Sequence, residues 1–128
     1  MKEVNLPDIP VMYITAESMD KIKDAFSKLE SYFPSLKGRK FYGTFHNGIY
    51  RACVAVNEGD NPKALGLETE IIPGGKYAVD KMDDWPKHIG HIKQRFMEMM
   101  EKAPFDESRP SIEFYKSFND LILYLPIK

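Results

Sequence analysis

The residue with the most chemical promise is Glu113, a carboxylate set among apolar and aromatic neighbours in Arg109-Pro110-Ser111-Ile112-Glu113-Phe114-Tyr115. An acid sheltered from water must find a partner, take up a proton, or await a cationic guest. With a raised pKa it would also serve as a general acid or base. In open solvent it would be only a charged residue on the wet face of a strand. Aromatic side chains supply a second ingredient: Tyr13, Phe26, Tyr42, Trp85 and Tyr115. Their faces attract cations by roughly 0.5–2 kcal/mol each, according to desolvation. Several such faces and one carboxylate make a receptor for a flat or bulky organic cation. Phe26 and Trp85 also fall at helical spacing among apolar residues, where ordinary core packing accounts for them.

Other chemistries find less support. His88 and His91 stand three apart, with His46 far away in sequence, and a tetrahedral metal site needs more ligands than that. We expect surface histidines and no metal. The single cysteine, Cys53, lies in the apolar run Ala52-Cys53-Val54-Ala55-Val56 and reads as a buried structural thiol. The serines carry no G-x-S-x-G motif, and Gly74-Gly75 is too little for a phosphate loop. No cofactor is expected.

Bulk properties narrow the partners. A chain of 128 residues is expected to form one domain, and 43% hydrophobic with 29% charged residues is ordinary for a globular protein. A net charge of -1 with no basic run gives no footprint for nucleic acid. Nothing resembles a signal peptide, and no apolar run approaches the roughly 18 residues of a membrane span. A cytoplasmic protein without membrane or nucleic-acid partners is the expectation.

The elements that must position these residues follow from periodicity. Ile9 to Thr15 is β-type. Ser18 is a candidate N-cap for a helix whose apolar face is Met19, Ile22, Phe26, Leu29 and Phe33, ended by Pro34 and Gly38. Strands Lys40 to His46 and Tyr50 to Val56 flank Asn47-Gly48, a strong hairpin signal. Asn57 to Ala64 reads as a loop. Leu67 to Ile72 and Lys76 to Asp80 read as one long strand, bent or bulged at Pro73-Gly74-Gly75. Asp83 or Asp84 would cap a second helix, with Pro86 in its first turn and Trp85, Ile89, Ile92, Phe96 and Met99 on its apolar face; Pro104 stops it. A last hairpin pairs Ser111 to Phe118 with Leu121 to Ile127. On its first strand Ile112 and Phe114 point one way, and Ser111, Glu113 and Tyr115 the other.

The sequence thus reads as one unit written twice. Ile9-Pro10, Tyr13 and Met19-Asp20 are echoed by Ile72-Pro73, Tyr77 and Met82-Asp83, an offset of about 63 residues. Repeat one would run over about 8–57 and repeat two over about 66–128. The predicted class is α+β: duplicated strand-helix-strand-strand units related by a pseudo-twofold. Their curved antiparallel sheets would enclose a ligand cleft between the halves, where such sites favour concave junctions. Tyr42 would occupy in the first half a place close to that of Glu113 in the second.

Several of these segments resemble the GyrI-like small-molecule-binding family, which includes the effector-binding domains of AraC-type and MerR-type multidrug regulators. The resemblance rests on Ile72-Pro73-Gly74-Gly75-Lys76-Tyr77, Pro86, Ile112-Glu113-Phe114-Tyr115 and Leu123-Tyr124-Leu125-Pro126-Ile127-Lys128. Tyr42-Gly43 and Arg51 to Val56 add a looser match in the first half. It implies a pocket between the halves in which Glu113 meets cationic ligands, with Phe26 and Tyr42 at matching aromatic positions. A pocket tyrosine of the multidrug sensors falls at Ile89 here. A DNA-reading helix-turn-helix is not expected in these residues. The resemblance also implies two alternatives: a hydrolase of strained, cyclopropane-type electrophiles using Glu113, or a module that binds and inhibits DNA gyrase.

Overall fold

The computed structural model describes residues 1–128. Five strands and two helices form the first part: β1 (Lys2–Leu6), β2 (Ile9–Thr15), α1 (Ile22–Glu30), β3 (Phe41–His46), β4 (Ile49–Ala55) and, after the short α2 (Pro62–Leu65), β5 (Glu68–Ile72). Then follow β6 (Gly75–Asp83), α3 (Ile92–Lys102), β7 (Ser111–Tyr115) and β8 (Asp120–Pro126). All strands join one antiparallel eight-stranded sheet in the order β1-β6-β8-β7-β3-β4-β2-β5. The class is α+β, as its periodicities predict.

Read from either end, the sheet has the same plan: a leading strand, the strand before the helix, then the hairpin. The leading strands are exchanged. β1 pairs with β6, and β5 with β2, so each begins one half of the chain and completes the sheet of the other. This corrects the expectation of one long strand from Leu67 to Asp80, because β5 forms one edge of the sheet and β6 lies next to the opposite edge strand. It also gives strand structure to the polar N-terminal lead.

The two exchanges bring the links Pro7-Asp8 and Pro73-Gly74 against each other. Gly74 N–H donates to Asp8 Oδ1 at 2.6 Å, and a Cβ on Gly74 would lie 2.5 Å from the Leu6 carbonyl oxygen. Only a glycine lets these backbones approach so closely. Joining the edges in this way curls the sheet into a half-barrel. Its inward face is filled by Val11, Tyr42, Cys53, Ile72, Tyr77 and Ile112, contributed from both edges and the middle.

The opposite face carries the helices. α1 lays Ala25 and Leu29 on Met12, Ala52 and Val54, while α3 lays Met99 on Leu121, Leu123 and Leu125. Burying each large aliphatic side chain contributes roughly 1.5–3 kcal/mol. The helix entrances differ from the sequence reading. Ser18 makes no capping bond to the backbone; its hydroxyl turns to Asp20 instead, and a 3-10 turn over Met19–Lys21 precedes α1. Asp84 likewise caps nothing and takes a left-handed φ of 53°, ahead of 3-10 turns at Trp85–Lys87 and Ile89–His91. Within the expected loop, Asn61 Oδ1 accepts from Ala64 N–H at 3.3 Å and starts α2.

Candidate functional site

β7 and β3 meet at the middle of the sheet, and their register sets Glu113 opposite Gly43. The next pair, Tyr42 and Phe114, must then face the other way. Glu113 and Tyr115 project on the helix-bearing side, where the two hairpins meet.

Tyr50 reaches this point from β4, which is separated from β7 by β3. Its ring crosses above Gly43 and its hydroxyl donates to Glu113 Oε1 at 2.7 Å. Any side chain on Gly43 would stand in the way: a Cβ there would lie 1.9 Å from Tyr50 Oη and 2.8 Å from Glu113 Oε1. Tyr115, on the same strand face as Glu113, donates to the same oxygen, also at 2.7 Å. The two hydroxyl oxygens are 3.3 Å apart.

Phe26 of α1 meets Tyr115 edge-on at 5.2 Å and Tyr50 at 6.2 Å between ring centroids. Trp85 approaches Tyr115 from the other helix entrance at 5.1 Å. Its indole N–H donates to the Ser117 carbonyl and its backbone N–H to that of Asn119, each at 3.4 Å, which ties it to the β7–β8 turn. The start of β7 is held by Arg109, whose guanidinium donates to the Lys76 carbonyl at 3.1 Å, the Ile127 carbonyl at 2.8 Å and Asp106 at 3.1 Å.

The electrostatics are those of a charge without a counter-charge. No ion pair includes Glu113; its hydrogen-bond partners are the two hydroxyls. Desolvation pushes its pKa above the ordinary carboxylate value, opposed by the bonds from Tyr115 and Tyr50. The residue keeps partial exposure overall, so the desolvation belongs to the packed surroundings of the carboxyl group rather than to complete enclosure. Tyr50 and Tyr115 are pushed far above the normal tyrosine range, first by burial and then by the neighbouring carboxylate, and both act as neutral donors.

Of the residues singled out in the sequence, the structure brings together Glu113, Tyr115, Phe26 and Trp85. Tyr42 and Tyr13 lie on the opposite face. Tyr42 is stacked on Phe114 at 4.8 Å within the inward core, and Tyr13 lies under the Arg51 guanidinium at 4.3 Å. A one-residue difference in strand phase separates Tyr42 from the acid. Glu113 thus lies on the helix side, among packed aromatic rings, whereas the inward face of the curled sheet is filled by the cluster around Tyr42. Ile89 is 60% exposed. His88 and His91 stack on each other at 5.6 Å, and no cluster of three metal-ligating side chains includes them. No helix is long and apolar enough to cross a membrane. Sequence reading missed Tyr50. Its one trace was Gly43, an isolated glycine inside a strand, which marks a close approach.

A curled antiparallel sheet with its helices on one face defines a fold shared with several solved structures. An integron cassette protein from the mobile metagenome of Vibrio cholerae superposes with a TM-score of 0.75 at 15% identity, covering 99% of this chain and 95% of the other. The EcmrR C-terminal domain gives 0.69 at 11% identity, over 99% and 96%. SAV2435, solved bound to tetraphenylphosphonium, gives 0.65 at 15% identity, over 99% and 93%. No family model and no curated protein matches the sequence.

Proposed function

We propose that the chain is a GyrI-like domain that binds lipophilic aromatic cations between α1 and α3, with Glu113 as counter-charge. The observation that carries this reading is a desolvated carboxylate held by two neutral hydroxyls and no base. Within a folded protein such a group costs free energy that a cation would offset. Phe26, Trp85, Tyr115 and Tyr50 would supply the apolar walls, and a flat guest would part Phe26 from Trp85 to reach the acid. The tetraphenylphosphonium carried by SAV2435 supports this class of ligand.

Titration calorimetry with cationic aromatic dyes and their neutral counterparts tests it. Removing one partner of a desolvated charge pair costs roughly 2–5 kcal/mol, so Glu113→Gln is expected to weaken the cations about 30-fold or more and leave the neutral dyes little changed. Equal affinities in both proteins would remove Glu113 from the site. Appearance of a hydrated product from a strained electrophile, lost in Glu113→Gln, would instead make the acid a general base.

A further inference from the structure

We infer that the site selects aromatic cations bearing at least one N–H (ammonium or amidinium) over fully alkylated ones; this rests on the cation-binding reading above. The reason lies in how the two oxygens of Glu113 are used. Each phenol has one proton to give. Tyr50 and Tyr115 both spend it on Oε1, at 2.7 Å each, which leaves their mutual 3.3 Å approach without a proton. Oε2 accepts from no protein group. It is not sealed either: the buried side-chain polar atoms lacking a partner are Arg51 Nε and Arg109 Nη1. Oε2 is therefore the oxygen that meets the guest.

A carboxylate oxygen taken from water and offered a cation without a donor gains charge but stays short of a hydrogen bond. A guest N–H closes that bond, and charge-assisted bonds of this kind are the strong ones. Sites that present an unsatisfied polar atom discriminate sharply against analogues lacking the matching group. The tyrosines add to this by fixing the carboxyl plane, so Oε2 is not free to turn away. Tyr50 and Tyr115 are positioning residues in this scheme.

The test compares three cations on one aromatic body: naphthylmethylammonium and its N,N-dimethyl and N,N,N-trimethyl derivatives, titrated calorimetrically into the full chain and into Glu113→Gln. The dimethyl and trimethyl forms differ by one methyl group but only the first keeps an N–H. We expect the dimethyl form to bind roughly tenfold or more tighter than the trimethyl form. In Glu113→Gln the two tyrosine donors hold the amide oxygen at the Oε1 position. The amide NH2 then stands at the Oε2 position, donor facing donor, and the gap between the two cations should vanish. Trimethyl binding as tight as dimethyl, and still dependent on Glu113, would overturn the selectivity and leave the cation receptor standing. A gap that persists in Glu113→Gln would place the acceptor elsewhere and overturn it too. Absence of binding by any of the three would overturn both readings. Circular dichroism checks the fold of the variant, and the comparison within the native protein holds without it.

Discussion

Replacing Gly43 by alanine adds a single methyl group at the centre of the sheet and should disable the site. Its φ is not in the left-handed region, so alanine meets no backbone strain there. In an ordinary strand the change would stabilise the protein by roughly 0.5–1 kcal/mol. Here the new Cβ would lie 1.9 Å from Tyr50 Oη and 2.6 Å from its Cζ. Carbon contacts settle at about 3.5–4.0 Å, so the ring must withdraw by more than a hydrogen bond to Glu113 tolerates. Losing a bond to a charged group costs roughly 1.5–3 kcal/mol, and overpacking roughly 1–3 kcal/mol more. The expected destabilisation is the sum, about 2.5–6 kcal/mol, a large part of a total of roughly 5–15 kcal/mol. Urea unfolding would read this as a midpoint lowered by about 1 M or more. Tyr50→Ala should rescue most of the loss, since the contact that remains, 2.8 Å to Glu113 Oε1, is with the end of a side chain that can shift, whereas Tyr50→Phe should not, because the ring atoms still collide. A neutral or stabilising Gly43→Ala in the native background would refute the crossing of Tyr50 over β3, and so would equal losses in both backgrounds.

Three further outcomes are expected. Glu113 binds its proton more tightly folded than unfolded, so the stability it confers is fully present below its unfolded pKa and lost as pH rises through the folded one. Urea midpoints across that range should show Glu113→Gln gaining on the native protein with rising pH; parallel curves would contradict the desolvation. Cys53 is fully buried and its thiol is pushed up to about 12, mainly by burial, so Ellman's reagent should label it only at the rate of unfolding. Arg39 donates to both oxygens of Asp60, at 2.6 and 2.9 Å, and pins the loop after β4; Asp60→Asn should cost roughly 1–3 kcal/mol in urea unfolding while leaving cation affinity unchanged.

Alternation along a strand is a local property, and so the sequence alone determined that Glu113 and Tyr115 share one face and Ile112 and Phe114 the other. Helical spacing likewise placed Phe26 on the buried side of α1, and Asn47-Gly48 the turn between β3 and β4. These readings need only bond geometry and the preference of apolar groups for one side. The phase of one strand against another is different, because it is settled by pairing between distant segments. Tyr42 therefore looked like a companion of the acid until β3 took a register one residue away. Tyr50 lies 63 residues from Glu113 in sequence and two strands from it in the sheet. Nothing near either residue announces their bond. Nor does local pattern reveal that β5 and β6, almost continuous in the chain, part to opposite halves of the sheet. The tertiary structure decided these things, since long-range pairing alone chooses which strands meet and in what register.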